Sequence, residues 1–105
     1  MAKYLFVYHG GGDNPSTAAE VAEIMDAWGA WFGGIGSAVV DGGNPVGKSS
    51  TVNSDGSVAD NGGSNPATGY SLIEASDLDD AISKAKGCPI LAAGGSVELA
   101  EAIDM

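Results

Sequence analysis

The sequence predicts an α+β fold, with an antiparallel sheet carrying two helices on one face. Three observations lead there. The chain opens on a β-type run that is apolar front and back, two stripes at helical spacing lie well apart, and the stretches around them alternate between strand-like runs and Gly-rich turns. At 105 residues there is room for a single domain spanning 1–105, and a domain of this size buries roughly two-thirds of its unfolded surface.

Lys3 to His9 is the first strand, with Leu5 and Val7 on one face and Tyr4, Phe6 and Tyr8 on the other. A strand apolar on both faces needs cover on both sides. Gly10 to Pro15 is a loop, and Thr17-Ala18-Ala19-Glu20 is a capping box that opens a helix. Val21, Ile24, Met25, Trp28, Phe32 and Ile35 follow at helical spacing, and Gly33-Gly34 marks the helix end. Ser37 to Val40 reads as a strand, and so does Lys48 to Val52, which runs into an Asn53-Ser54-Asp55-Gly56 hairpin turn. Asp60 to Pro66 is a polar surface loop, and Gly69 to Ala75 is a central strand.

Ser76-Asp77-Leu78-Asp79 starts the second helix, where the acidic residues of the first turn favour the positive end of the macrodipole. Leu78, Ala81, Ile82 and Ala85 form its buried stripe, and Gly87 and Pro89 stop it. Ser96 to Ile103 suits a strand or a short helix. The order β-α-β-hairpin-β-α-β is that of a split β-α-β, ferredoxin-like sheet. Two helices cover only one sheet face. The sequence therefore implies a homodimer packed sheet to sheet, and a lone protomer with Tyr4, Phe6 and Tyr8 in water would contradict it.

The chain holds 14 acidic residues against 4 lysines and no arginine, for a net charge of −10. That balance repels phosphate backbones and anionic bilayers, so neither nucleic acid nor membrane is expected as a partner. Cys88 is the single cysteine and cannot form an internal disulfide, and the opening apolar run is short for a signal peptide. A cytoplasmic address follows as the expectation. Cys88 reads as a buried spacer before Pro89, since the one histidine leaves no partner dedicated to activating it.

Two motifs suggest enzymes and lack the context these need. Gly42-Gly43-Asn44-Pro45-Val46-Gly47-Lys48-Ser49 satisfies the phosphate-binding P-loop pattern letter for letter, but a β-branched, turn-rich stretch follows where the chemistry requires a helix opening at the lysine. His9-Gly10-Gly11-Gly12 is like an esterase oxyanion loop, but no Gly-x-Ser-x-Gly elbow accompanies it, and His9 cannot be both that loop's residue and the base. One His and one Cys make no usual zinc ligand set, and no EF-hand pattern occurs, so neither metal nor cofactor is expected.

The chain resembles the YCII-related, DGPF-type proteins. The resemblance rests on Lys3-Tyr4-Leu5-Phe6-Val7-Tyr8, on Asp55-Gly56 leading to Asp60, on Gly69 to Ala75, and on Ala81 through Cys88-Pro89 to Glu98. Where that family carries Asp-Gly-Pro-Phe, this chain has Asp60-Asn61-Gly62-Gly63. The resemblance implies the dimeric α/β-barrel form of the ferredoxin-like fold and a strand at Ser96 to Ile103. It also implies a cavity in which some relatives carry a His-Asp pair, and for others a genetic association with sigma factors.

Two functions of different class follow. In the first, the protein binds or acts on a small organic molecule in a cavity near His9, with Asp41 and Asp60 as its carboxylate partners in acid–base work and Trp28 and Trp31 as aromatic walls. In the second, it is a non-catalytic interaction module, its acidity suiting a basic partner, linked to sigma-factor-dependent transcription.

Overall fold

The computed structural model describes residues 2–10, 17–63 and 65–104. In chain order the elements are β1 (Ala2–His9), α1 (Ala18–Ile35), a 3-10 turn (Gly36–Ala38), β2 (Val39–Asp41), β3 (Thr51–Val52), β4 (Val58–Ala59), β5 (Ala67–Ala75), α2 (Leu78–Ala85), α3 (Pro89–Ala92) and β6 (Ser96–Ala102). Four strands form one antiparallel sheet in the order β2-β5-β1-β6, and β3 and β4 form a separate hairpin. The protein is thus α+β, as its sequence predicts. The ambiguous last segment is a strand, paired along β1 from Lys3–Ala102 to His9–Ser96.

Local chemistry fixes most element ends. The Thr17 hydroxyl accepts from the Glu20 amide at 3.1 Å, which starts α1 at the capping box. The helix passes through Gly33 and Gly34 and stops only at Gly36, whose positive φ of 57° turns the chain away while its amide donates to the Phe32 carbonyl. Phe32 and Ile35 pack on the core on either side of that glycine pair, which carries the helix through it to Ile35. Asp77 caps α2 by accepting from the Asp80 amide at 2.8 Å. Pro89 does not simply end α2. It sits at the first position of α3, where its fixed φ and missing N–H cost nothing.

The core lies between the sheet and the helices. Tyr4, Phe6 and Tyr8 of β1 and Ile73 and Ala75 of β5 face Trp31, Ala81, Ala85, Cys88 and Ile90. The bulky aromatic face of β1 is therefore covered by the chain's own helices. The uncovered face carries Leu5 and Val7, alternating with those aromatics, flanked by Tyr70 and Leu72 across β5. Leu5, Val40 and Tyr70 remain 39%, 42% and 37% exposed. The molecule is a slab of 43 × 43 × 19 Å with a radius of gyration of 15.0 Å. A compact domain of this length has a radius near ~13 Å.

Candidate functional site

The apolar stripe of α1 is longer than the sheet beneath it uses. Trp31 is buried and Trp28, Phe32 and Ile35 pack on the core, whereas Val21, Ile24 and Met25, one or two turns earlier, are 39%, 45% and 68% exposed. Beneath the middle of the helix is a cavity of about 430 Å³. Ile24, Met25, Trp28 and Phe32 form its roof, Tyr8 and Ile90 its inner end, and residues 42–45 with 68–70 its far wall. Such a volume falls in the range of small-molecule sites, roughly 300–1,000 Å³.

The far wall is backbone laid beside β5. After β2 the chain keeps pace with that strand: the Tyr70 amide donates to the Asn44 carbonyl at 3.3 Å, the Val46 amide to the Thr68 carbonyl at 3.0 Å, and Pro45 bridges Gly69. Gly43 makes this approach possible. Its φ is 70°, and a Cβ there would fall 1.8 Å from the Tyr70 carbonyl oxygen. Asp41 steadies the turn by accepting from the Gly43 amide at 2.8 Å.

A buried polar chain underlies the floor. The Tyr8 hydroxyl donates to Ser71 Oγ at 2.7 Å, and the fully buried Ser71 hydroxyl donates to the Gly42 carbonyl at 2.8 Å. Thr68 Oγ1 donates to the Tyr8 carbonyl at 3.1 Å. Burial pushes the Tyr8 phenol up to about 12, against the opposing pull of the Ser71 hydrogen bond, so the group keeps its proton through the physiological range. The aromatic roof is held edge to face, with ring centroids 5.0 Å apart for Tyr8–Trp28 and 5.7 Å for Trp28–Trp31.

The residues singled out in the sequence fall in five different places. Trp28 lines the cavity, whereas Trp31 is core, its indole N–H donating to the Lys84 carbonyl at 2.9 Å and so tying α1 to α2. His9 follows Tyr8 on the strand and so points to the opposite sheet face, away from the cavity rather than into it. Its Nδ1 lies 2.9 Å from the Asn65 carbonyl and 3.3 Å from that of Pro66, and its Nε2 lies 2.9 Å from Glu98 Oε1. Asp41 holds Gly43, and Asp60 pairs with Lys48 at 2.9 Å between two exposed side chains. The carboxylate that meets His9 is thus Glu98, not Asp41 or Asp60. Sequence reasoning missed Glu98 because only the register of β6 on β1, which sets Glu98 opposite Val7, brings it within reach.

The P-loop-like run supplies the cavity's far wall. Residues 46–50 take no regular structure and lead into β3 rather than a helix, and Lys48 is engaged by Asp60. Of the oxyanion-like run, Gly11 and Gly12 lie outside the described residues. Among the described residues no three His, Cys, Asp or Glu side chains gather as a cation site, and no helix is long and apolar enough to cross a membrane. Burial raises the Cys88 thiol above its ordinary value, as expected of a packed spacer. No family model matches the chain, and no curated protein matches it.

Proposed function

We propose that the protein is a homodimeric binder of a small organic molecule, held in the cavity beneath the middle of α1. The observation that carries this reading is the cavity itself: an apolar space of about 430 Å³ with a fixed backbone wall and an aromatic roof. Its lining includes none of the chain's Asp, Glu, Lys, His or Cys residues. The site is equipped to hold a molecule rather than to move protons on it. His9, on the other face, serves as an anchor that ties the end of β1 to the 65–66 loop and to β6.

The sheet order β2-β5-β1-β6, with helices on one face, supports the ferredoxin-like plan, and the Leu5–Val7–Tyr70–Leu72 face supports a second copy packed there. Together they favour the dimeric α/β-barrel arrangement and kinship with the YCII-related proteins, with the cytoplasm as the working compartment. A regulatory module would use the same open face for a different protein.

A thermal-shift screen of small organic compounds tests the binding reading. Hits should stabilise the wild type and His9→Ala alike and lose their effect in Ile24→Trp, whose indole fills the cavity. Hits that persist in Ile24→Trp, or no hits at all, would refute it. Sedimentation as a single protomer at micromolar concentration would refute the dimer and favour the regulatory module.

A further inference from the structure

The cavity wall has little polar capacity left for a ligand. The Tyr8, Ser71 and Thr68 hydroxyls all donate within the protein, the Asn44 and Thr68 carbonyls accept from Tyr70 and Val46, and the Gly43 amide is taken by Asp41, which leaves the Asn44 side-chain amide and the Tyr70 hydroxyl, themselves joined by a long 3.4 Å hydrogen bond, as the polar groups of the wall. On the roof, the Trp28 indole N–H has no hydrogen-bond partner among the described residues, although no buried polar side-chain atom there lacks one. It therefore stands as an accessible donor beside an aromatic surface already set edge-on to Tyr8 and Trp31. A sugar or nucleotide, with many donors and acceptors, would leave most of them unpaired against this wall.

Charge narrows the choice further. None of the four lysines lines the cavity: Lys48 and Lys84 are held by Asp60 and Asp80, and Lys3 and Lys86 lie on β1 and just after α2. Asp41 stands next to the wall, and the chain as a whole carries −10. An anion entering here loses its hydration, finds no counter-charge and meets a negative field.

We propose that the cavity selects a flat aromatic molecule that bears no acidic group and few hydrogen-bonding groups, seated against Trp28. This rests on the binding reading above and adds the chemical class of the ligand. Two fluorescent probes that share one skeleton test it: neutral N-phenyl-1-naphthylamine and its sulfonated counterpart, 8-anilino-1-naphthalenesulfonate. The full chain should bind the neutral probe about tenfold more tightly or better, a gap of roughly 1.4 kcal/mol. Trp28→Leu and the cavity-filling Ile24→Trp should each weaken the neutral probe about tenfold or more. Equal affinities, or preference for the sulfonate, would overturn the selectivity and leave a cavity binder standing. Neutral-probe binding unchanged in both variants would place the probe elsewhere and overturn the assignment to this cavity. Binding of neither probe would overturn the ligand class, while the compound screen separately decides whether the cavity binds anything.

Discussion

His9 meets acceptors at both ring nitrogens, a carbonyl pair at Nδ1 and the Glu98 carboxylate at Nε2. His9→Ala removes these links from a residue that is 8% exposed and should lower stability by about 1–3 kcal/mol in urea unfolding, with probe affinity at the cavity unchanged. A parallel loss of probe binding would mean that the two sheet faces are coupled. Tyr8 makes a pH-dependent contribution. Its phenol is raised to about 12 by burial, so the folded state holds that proton more tightly than the unfolded chain, whose value is near 10.0. The resulting stability is complete below pH 10 and is lost as pH climbs toward 12. Tyr4 is raised for the same reason, with Glu101 and Asp77 adding to it, and works in the same direction. Unfolding free energies measured across this window should fall in the wild type and fall less in Tyr8→Phe.

At the scale of elements, the residues 42–46 that extend β2 depend on Gly43. Gly43→Ala must push a methyl group into the Tyr70 carbonyl at φ 70° and should cost more than about 2 kcal/mol, whereas Gly42→Ala, with nothing near its Cβ, should stay within about 0.5 kcal/mol. Urea midpoints for the pair check the wall directly. The β3–β4 hairpin is two residues a side, with Val52 and Val58 71% and 66% exposed, and has no packed layer of its own. Its amides should exchange with solvent far faster than those of β1 and β5. The elements legible in the sequence were those with local signatures: the capping box at Thr17, the Asp cluster at α2, the Asp55-Gly56 turn. Gly33-Gly34 misled because core packing on both sides overrides a local break, and Pro89 misled because one residue type both ends and begins helices. Trp28 was legible as a residue of the α1 stripe, while its place at the cavity was not. The 42–46 wall was not, since a glycine run says nothing about which strand it will lie beside, and the Glu98 partner of His9 depends on register between segments 89 residues apart.

At the scale of the whole molecule, the proposed dimer is tested at the open sheet face. Leu5 and Leu72 stand opposite each other in the β1–β5 register at the centre of that face. Leu5→Glu with Leu72→Glu should halve the sedimenting mass toward the 10.4 kDa of one chain while leaving the helix-side core, and its circular dichroism, intact. An unchanged mass would place the interface elsewhere.

The thinness of the slab, 19 Å across its short axis, also has a calorimetric consequence. One sheet under a sparse helix layer shields little nonpolar area per residue, so a separated chain should melt with a heat-capacity increment below the ~1.2–1.5 kcal/mol/K usual for a hundred residues. Its free-energy curve against temperature would be correspondingly shallow, and if two slabs do share a dry interior, raising the protein concentration should steepen it.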